Sequence, residues 1–406
     1  MIPLGDARAR VLRDCHLLGT VEVSVDDAFG LVTAEVVLAS GDVPPFANTA
    51  MDGFAVVAAD TVGASESSPV RLPVVGTVAA GTRDPVTVGP GSAARIMTGA
   101  AIPPGADAVV MVELCRSSPD GTEVEVLAEV GAGNHVRPAG DDLVAGDPVI
   151  AAGTELTAGH LGLLAGVGRT SVGVVRRARV GVMSTGDELV EGDGDLAPGQ
   201  IHDANRHSLL ALVRELGAEA VDLGIVADDV DAIRAAIVDG VSSCDALVTS
   251  GGVSMGDFDY VKVVLDEIGD MDWMQVAIRP AKPLAFGTVD DVPVFGLPGN
   301  PVSSMVSFEL FARPGLRRMM GHEGSGRTVV DAIADEEMRR QTDGKTHLVR
   351  VVATVADDGR VHVRSAGGQG SHQLSAMAAA TALAVVPDGD GVAPGGSVET
   401  ILLHRL

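Results

Sequence analysis

Short apolar runs alternate with amphipathic segments between residues 179 and 321, and this alternation constrains the fold more than any other feature. The apolar runs predict buried strands, and the segments between them carry Val, Ile and Leu at helical spacing. Such alternation is typical of a mainly parallel sheet with helices on both faces, which binds ligands outside the carboxyl ends of its strands. The predicted strands are 180–183, 220–226, 246–249, 275–278, 284–288 and 292–297, and the predicted helices are 205–216, 229–238, 260–268 and one that begins at Pro301.

The other parts of the chain have a different pattern of apolar residues. Short β-type runs separated by Gly and Pro turns fill residues 55–156 and predict a small all-β unit. Before and after it, helical spacing in 3–18, a helix-and-strand segment at 21–39 and a Gly-rich helical stretch at 159–168 predict that the chain returns to its N-terminal part. The β unit is then an insertion. The C-terminal part again contains short β-type runs, which predict a small barrel or sandwich.

The charge balance limits the possible partners. Asp and Glu outnumber Lys and Arg by 55 to 29, which gives a formal net charge of -26. Such a field repels polyanions, so we expect no nucleic-acid partner and no anionic membrane partner. A small anionic ligand remains compatible with it, provided that local cations and backbone N–H groups surround that ligand.

The cysteines and the N-terminal residues predict a cytoplasmic protein. Three distant cysteines, Cys15, Cys115 and Cys244, form neither a disulfide framework nor a metal-binding spacing. Charged residues stand near the N-terminus, where a signal peptide needs an uninterrupted apolar core. The longest uncharged stretch, 365–387, is broken by Gly, Gln, His and Ser, which argues against a membrane span.

The sequence TSGGVSMGDFD at 249–259 follows a predicted buried strand. Paired glycines permit a close backbone approach and positive φ, so successive N–H groups can converge on a phosphate. Asp257 and Asp259 at its end could serve as metal ligands or as a general base. An ordinary loop between strand and helix is the alternative interpretation, but it does not require the acidic end.

Two further segments follow strands of the same sheet. GLPGNPVSS at 296–304 predicts a helix start, with Asn300 as the N-cap and Pro301 in the first turn. Capping alone accounts for these two residues, whereas the hydroxyls and free N–H groups at the positive end of the helix also suit an anion. In IRPAKP at 278–283, Arg279 and Lys282 are either a solvated edge or anion contacts, and the scarcity of lysine in the chain favours the second.

Carboxylates mark a third strand end. STGDEL at 184–189 places Asp187 and Glu188 directly after a strand, which suits Mg²⁺ coordination or proton transfer, although acidic pairs are also common on surfaces. The segments NTAMDGF, RIMTGA and RPAGDD carry more polar pattern than a turn requires. In the last region Arg350 and GSH at 370–372 are possible anion contacts, which composition alone would assign to the surface.

Taken together, these motifs resemble one family, the molybdopterin molybdenumtransferases, which is the MoeA family with the gephyrin E domain as a relative. The matching pieces occur in the family's order between residues 44 and 311, and GSH with an apolar tail fits the family's C-terminal domain. Several co-linear motifs are more specific than any one alone. The pieces are PPFANTAMDGFAV, RIMTGAAIPPGADAVV, RPAGDD, STGDELV with PGQIHDAN, TSGGVSMGDFD, RPAKPLAFG and FGLPGNPVSSMVSFELF.

The resemblance implies the last step of molybdenum cofactor synthesis. Its substrates are adenylylated molybdopterin and molybdate, Mg²⁺ assists cleavage of the adenylyl phosphoanhydride, and molybdenum stays on the dithiolene sulfurs. It also implies a homodimer whose active site lies between the α/β domain of one subunit and the inserted domain of the other. An upstream adenylyltransferase and recipient molybdoenzymes are the implied further partners.

The resemblance also implies the fold class, an α/β and β multidomain protein. A three-layer α/β molybdopterin-binding domain is combined with an inserted β domain, an extended N-terminal stalk and a C-terminal β-barrel-like domain. We expect the stalk at 1–45 plus 141–177, the inserted domain at 46–140, the α/β domain at 178–325 and the C-terminal domain at 326–406.

Site residues follow from the resemblance by matching motif positions. The family's acidic positions, which would handle protons and Mg²⁺, correspond to Asp52, Asp142, Glu188, Asp228 and Asp259, with Glu188 and Asp259 as the metal ligands. Thr98 matches a contact from the inserted domain. Ser250, Gly251 and Gly252 would cradle the pterin phosphate, while Lys282, Ser303, Arg350 and Ser371 would hold molybdate. Ser254, Arg279, Pro298 and Asn300 complete the expected substrate contacts.

Two positions depart from the family pattern. The segment KPGKP usually has two lysines, and here Arg279 replaces the first with a bulkier, fork-shaped cation. Ala47 stands where the family often has Asp. The alternatives are a hydrolase of nucleotide-containing cofactors with the same α/β domain, a non-catalytic molybdopterin-binding scaffold and a tungstate-inserting variant. The first would lack the MDG and RIMTGA segments, and the second would lack the acidic set.

Overall fold

The computed structural model describes residues 1–82, 86–252, 260–324 and 326–404. Two of the predicted site residues, Ser254 and Asp259, lie outside the described residues, as does Asp257. No described helix combines the length and the apolar character that crossing a bilayer would need.

The centre of the α/β domain is a six-stranded sheet. Its four parallel strands lie in the order Glu219–Val226, Arg179–Thr185, Ala246–Ser250 and Val292–Leu297. Two antiparallel strands, Pro283–Val289 and Asp270–Gln275, extend the sheet on one side. The expectation of a mainly parallel sheet is confirmed. The predicted strand at 275–278 is wrong, because the edge strand ends at Gln275 and the next pair, Ile278–Arg279, joins another sheet.

Helices cover both faces of this sheet and make the domain three-layered. One face packs against Asn205–Glu215 and the continuous helical segment that begins at Pro301. The other face packs against Val230–Ser243 and Tyr260–Ile268. The helical segment from Pro301 consists of Pro301–Ser307, a π-helical turn at Phe308–Ala312 and Arg313–Met319.

Local chemistry explains where these helices start. The Asp229 carboxylate accepts hydrogen bonds from the backbone N–H groups of Asp231 and Ala232, at 3.1 and 2.9 Å, and so caps Val230–Ser243. Pro301 occupies the first turn of its helix, where its missing N–H has no cost. The strand Ala246–Ser250 is buried along its whole length, which its continuous apolar run requires.

The inserted β unit forms its own six-stranded sheet. The order is Ala108–Met111, Gly53–Val56, Ala93–Ile96, Val70–Val78, Glu123–Val126 and Cys115–Ser117. A separate two-stranded ladder joins Asn48–Thr49 to Val136–Arg137. Aliphatic side chains fill the core on both faces of the sheet, as the low aromatic content requires.

The N-terminal part brackets this insertion. The helix Leu4–Asp14 packs on the α/β domain through Ala7 and Val11, whereas Thr20–Ser24 pairs antiparallel with Ser171–Val175 after the chain returns. The ladder between Val37–Leu38 and Pro148–Ile150 and the helix Ala158–Gly166 complete this part. The expected helix within 21–39 is reduced to a 3-10 turn at Val25–Asp27, because the Val-Glu-Val-Ser alternation suits a strand.

The C-terminal region closes into a five-stranded barrel. Its strands pair in the ring order Thr346–Val355, Val361–Ser365, Val329–Ala334, Ser397–Leu402 and Ala382–Val386, and the last pairs again with the first. A short helix, Leu374–Ala379, packs beside it. The strand Ile278–Arg279 from the α/β domain pairs parallel with Thr346–Val355, so the RPAKP segment links the barrel to the α/β domain.

Candidate functional site

A cleft of about 480 Å³ lies where the parallel strands end. Thr185, Ser250 and the residues after Leu297 all reach it, because these strands run parallel and their carboxyl ends share one edge. The described residues that line it are Thr185, Gly186, Glu188, Leu189, Ile201, His202, Asp203, Ala204, Asn205, Asp228, Ser250, Gly251, Gly252, Tyr260, Pro283, Pro298, Gly299, Asn300 and Pro301.

The glycine loop after Ala246–Ser250 forms one wall of the cleft. Gly251 and Gly252 have φ values of +100° and +65°, a region that glycine occupies without cost. A Cβ on Gly251 would lie 2.9 Å from the Thr185 carbonyl oxygen, so no other residue fits without displacement of backbone. The Gly251 N–H donates to the Leu297 carbonyl at 3.1 Å, which ties this loop to the next strand end.

The loop Pro298-Gly299-Asn300 forms the facing wall. Asn300 precedes the helix, but its side chain makes no capping hydrogen bond, while its carbonyl accepts from the Ser304 N–H at 2.9 Å. The side-chain amide of Asn300 is exposed and does not serve as the helix cap. A Cβ added to Gly299 would lie 3.7 Å from the Gly251 Cα, so the two loops are in contact.

Carboxylates crowd one side of the cleft. Glu188 and Asp228 line it, and the Asp187 carboxylate accepts the Asp228 N–H at 3.0 Å. Partial burial raises the pKa of Asp228, and the negative charges of Asp187 and Glu188 raise it further. A bound cation would relieve this repulsion. No group of three or more His, Cys, Asp or Glu in cation-binding arrangement occurs among the residues that the structure describes.

A second cavity of about 480 Å³ lies between the RPAKP segment and the C-terminal barrel. Arg350 lines it with 0% of its surface exposed, and its Nε and Nη1 have no hydrogen-bond partner in the described part of the chain. Nη2 donates to the carbonyls of Gly368 and Gly370, at 2.8 and 3.2 Å. Burial lowers the pKa of Arg350, and no carboxylate of the described residues offsets this effect. A buried cation without a counter-charge is a strong anion-binding feature.

Gln369 holds the backbone of Arg350 in place. Its Oε1 accepts the Arg350 N–H at 2.9 Å, and its Nε2 donates to the Arg350 carbonyl at 3.0 Å. The loop 367–370 thus fixes both the main chain and one nitrogen of the guanidinium. The remaining nitrogens, Nε and Nη1, are buried and have no hydrogen-bond partner among the described residues.

The other residues expected to hold molybdate, Lys282, Ser303 and Ser371, are not among the described residues that line this cavity. Arg279 lines the same cavity as Arg350, and Lys282 is exposed four residues after Ile278. Ser303 is buried in the helix that begins at Pro301, next to Val302, whose N–H donates to the Ser371 carbonyl at 3.1 Å. Ala281, where the family pattern has Gly, adopts a φ of +73°.

Three further expected site residues belong to the inserted domain (Asp52 and Thr98) or to the stalk segment that follows it (Asp142). Asp52 and Thr98 contact each other, since one Asp52 oxygen accepts the Thr98 N–H at 2.7 Å and its hydroxyl at 3.0 Å. These bonds lower the pKa of Asp52. Asp142 is exposed in the chain that leaves the insertion, where its N–H donates to the Val43 carbonyl at 2.9 Å. None of the three is among the described residues that line the cavities.

Sequence reasoning missed two polar residues at these sites. Asn205 lines the first cleft and donates to both of its walls, and Gln369 fixes Arg350. Asn205 belongs to the segment PGQIHDAN, and Gln369 immediately precedes the GSH segment. Their positions within motifs were the available signal, but their bonding partners are too distant in sequence to infer.

A cleft beyond the ends of parallel strands and a buried arginine with unpaired nitrogens in the described part of the chain define a multidomain protein that is suited to bind a small anionic ligand. Comparison with known families makes this class specific. Residues 2–168 match the MoeA N-terminal region (domain I and II), residues 181–318 match a probable molybdopterin binding domain, and residues 337–403 match the MoeA C-terminal region (domain IV). The chain belongs to the MoeA family.

Individual relatives agree along the whole length. A protein named molybdopterin molybdenumtransferase from Haemophilus influenzae is 35% identical over 99% of this chain and 98% of its own. Molybdopterin molybdenumtransferase 2 from Mycobacterium tuberculosis is 38% identical over 94% and 93%, respectively. The crystal structure of the MoeA molybdopterin biosynthesis protein from Pyrococcus horikoshii superimposes with a TM-score of 0.83 at 32% identity and covers 100% of both chains. This match confirms the expected fold class.

Proposed function

We propose that this protein is a molybdopterin molybdenumtransferase, which inserts molybdate into adenylylated molybdopterin and releases AMP in molybdenum cofactor biosynthesis. Membership of a family whose full-length relatives bear this name supports the reaction class. The observation that carries the proposal is the buried Arg350 guanidinium, whose Nε and Nη1 lack partners among the described residues. A tetrahedral oxyanion supplies the acceptors and the negative charge that this group needs.

Molybdate binds, in this proposal, at the junction of the barrel and the α/β domain. Arg350 supplies the buried charge, and Arg279 and Lys282 supply further cations from the RPAKP segment. Ser303 and Ser371 supply hydroxyl donors from the two sides of the junction. Arg279 can present a planar fork to two oxygens, which a lysine at this position could not do.

The phosphate of the pterin binds at the glycine loop in the first cleft. Ser250 offers a hydroxyl, and Gly251 and Gly252, which have no side chains, let a phosphate approach the loop backbone closely. Pro298 and Asn300 bound the ligand from the facing wall. Ser254, which lies outside the described residues, is a further proposed contact.

The acidic residues are proposed to handle protons and Mg²⁺. Glu188 and Asp228 line the cleft, and hard carboxylate oxygens are the ligands that Mg²⁺ prefers. Glu188 would hold the ion together with Asp259, which lies outside the described residues. When bound, the ion supplies positive charge that stabilises the leaving phosphate. Asp228, whose pKa is raised, holds a proton more readily than an ordinary carboxyl does.

The inserted domain and the stalk segment that follows it are proposed to act in the site of a partner subunit. Asp52, Thr98 and Asp142 do not line either cavity among the described residues, although the family resemblance assigns them to the site. A homodimer in which these residues reach the partner's cleft reconciles the two facts. An upstream adenylyltransferase and recipient molybdoenzymes are the further proposed partners.

The proposal places the protein in the cytoplasm and divides it into the four expected parts. Three free thiols, at Cys15, Cys115 and Cys244, are compatible with a reducing compartment. The parts are 1–45 plus 141–177, 46–140, 178–325 and 326–406, and the strand pairings described above support these limits.

Arg350→Ala tests the proposal. We expect the molybdate concentration for half-maximal AMP release to rise at least about tenfold, because a charge-assisted hydrogen-bond donor is lost. The affinity for adenylylated molybdopterin should change much less. Arg364→Ala, which removes an exposed arginine from the same barrel, is the matched control and should leave molybdate use unchanged. An unaltered molybdate dependence in Arg350→Ala would remove Arg350 from the site.

A further inference from the structure

Asn205 connects the two walls of the first cleft. It is the first residue of the helix Asn205–Glu215, and its Nδ2 lies 2.8 Å from Ser250 Oγ and 2.7 Å from the Gly299 carbonyl oxygen. Ser250 ends the buried strand that leads into the glycine loop, whereas Gly299 belongs to the facing loop. One amide therefore contacts both loops.

The chemistry of the partners fixes the orientation of this amide. The Gly299 carbonyl oxygen can only accept a hydrogen bond, so the side-chain atom that faces it must be the nitrogen of Asn205. The same nitrogen then donates its second hydrogen to Ser250 Oγ. Ser250 uses a lone pair in this contact, and its own hydroxyl hydrogen remains available to a further acceptor.

A buried network holds Asn205 in this position. The neighbouring Asp203 is 5% exposed, and its carboxylate accepts hydrogen bonds from the Ser184 hydroxyl, the Arg206 N–H and Arg206 Nε, each at 3.1 Å. The Arg206 guanidinium also pairs with Asp222 and Glu191. The start of the helix is thus fixed to two adjacent parallel strands, and the Asn205 amide has little freedom to turn away.

We propose that Asn205 is a positioning residue that turns the Ser250 hydroxyl into a hydrogen-bond donor toward an anionic phosphate oxygen in the cleft. The inference rests on the proposed function, in which Ser250 and the glycine loop hold a phosphate. It specifies that the Ser250 hydroxyl donates, rather than accepts, the hydrogen bond in that contact. A serine hydroxyl can accept or donate, and only a donating hydroxyl favours an oxyanion.

The rival explanation is that Asn205 merely ties the loops together through Gly299. The two explanations differ in how Asn205 and Ser250 depend on each other. If Asn205 acts through the Ser250 hydroxyl, its removal has little effect once that hydroxyl is gone. If it acts only as a tie to Gly299, its removal costs the same affinity whether residue 250 is Ser or Ala.

The test is a double-mutant cycle with inorganic phosphate as the probe. Dissociation constants are measured by titration calorimetry for the full-length wild type, Asn205→Ala, Ser250→Ala and the double variant. We expect each single variant to bind phosphate about five- to tenfold more weakly, with less than a twofold further loss in the double variant. Equal losses from Asn205→Ala in both backgrounds, or an unchanged dissociation constant in all four proteins, would overturn the proposal.

Asn205→Asp provides a second variant that keeps the size of the side chain. A carboxylate at this position would accept the Ser250 hydroxyl hydrogen and turn it away from the ligand, so we expect a greater loss of phosphate affinity than in Asn205→Ala. An Asn205→Asp protein that binds phosphate as tightly as wild type contradicts the proposal. Asn134→Ala is the matched control, because Asn134 Nδ2 also donates to a backbone carbonyl, that of Val109 at 2.8 Å, in the inserted domain.

Turnover distinguishes this inference from the proposed function. If wild type releases no AMP from adenylylated molybdopterin but the cycle shows the expected coupling, the transferase assignment fails and the role of Asn205 stands. If wild type turns over and the cycle shows no coupling, the assignment stands and the role of Asn205 fails.

Discussion

Gly251 shows how a single residue limits the geometry of the cleft. Its φ of +100° is strained for any residue with a side chain, and a Cβ would lie 2.9 Å from the Thr185 carbonyl oxygen and 3.0 Å from the Thr185 hydroxyl. Thr185 ends one of two adjacent parallel strands, and Gly251 directly follows the other. The shape of the glycine loop therefore depends on the absence of one methyl group.

Gly251→Ala is expected to lower the free energy of unfolding by about 1–3 kcal/mol, because the new Cβ strains the backbone and contacts Thr185. Urea denaturation measures the change. Gly162→Ala is a control with the opposite expected sign. Gly162 lies within the helix Ala158–Gly166 with nothing within 4 Å of a Cβ, so alanine should stabilise by about 0.5–1 kcal/mol. Equal effects of the two substitutions would contradict this account.

Individual site residues differ in how far the sequence alone predicts their environment. The motifs predicted the glycine loop and the acidic strand end, because these depend on residues close together in the chain. The sequence alone marks Arg350 as a possible anion contact that composition would assign to the surface, and the family resemblance places it among the residues expected to hold molybdate. Its burial arises from strands and a loop that meet around it, including the carbonyls of Gly368 and Gly370. Nothing local in the sequence indicates that closure.

At the scale of elements, an ion-pair cluster joins the last helical segment of the α/β domain to the chain that enters the barrel. Glu309 lies in the π-helical turn Phe308–Ala312 with its side chain 2% exposed. Arg327 Nε and Nη2 each donate to it at 2.8 Å, and Arg313 Nε lies 2.9 Å away. Glu215 adds a second carboxylate on the same arginines.

Glu309→Ala is expected to lower the free energy of unfolding by about 3–5 kcal/mol, because two largely buried arginines lose their principal counter-charge. Chemical denaturation at neutral pH measures this loss. Glu267→Ala serves as the control, since the exposed pair of Glu267 with Arg234 at 2.5 Å should contribute no more than about 1 kcal/mol. A loss below about 1 kcal/mol for Glu309→Ala would show that the cluster is not a stabilising junction.

Elements with a strong local signal were predicted well, and those defined by distant pairing were not. The strand Val292–Leu297 and the helix Tyr260–Ile268 agree with the predicted limits, because apolar runs and spacing specify them locally. The predicted strand at 275–278 was wrong, since Ile278–Arg279 pairs with Thr346–Val355 nearly seventy residues later in the chain. The sequence near residue 278 contains no information about that partner.

At the scale of the whole molecule, a histidine lies where the N-terminal part meets the α/β domain. His322 Nδ1 is 2.9 Å from Glu155 Oε2, and Arg317 Nη2 is 3.0 Å from the same oxygen. Burial lowers the pKa of His322 below its ordinary value of 6.5, and the nearby positive charge of Arg317 lowers it further. The attraction of Glu155 opposes this shift without cancelling it.

The lowered pKa predicts a pH-dependent stability. Between the unfolded value of 6.5 and the lower folded value, the unfolded chain binds more protons than the folded chain. The contribution of His322 is therefore complete above pH 6.5 and is lost as the pH falls through the folded pKa. His322→Gln should flatten the change in thermal midpoint over this range, as measured by calorimetry from pH 7.5 to about 5. An unchanged pH profile would contradict the assignment.

The proposed function rests on one reaction, in which adenylylated molybdopterin loses its adenylyl group as AMP and receives molybdenum. The most direct measurement incubates the purified full-length protein with adenylylated molybdopterin, Mg²⁺ and molybdate, and follows AMP release together with molybdenum retained on the pterin. We expect AMP and molybdenum-bearing pterin to appear in equal amounts, with neither formed when molybdate is omitted. AMP release that does not depend on molybdate and leaves no molybdenum on the pterin would identify a hydrolase and contradict the account.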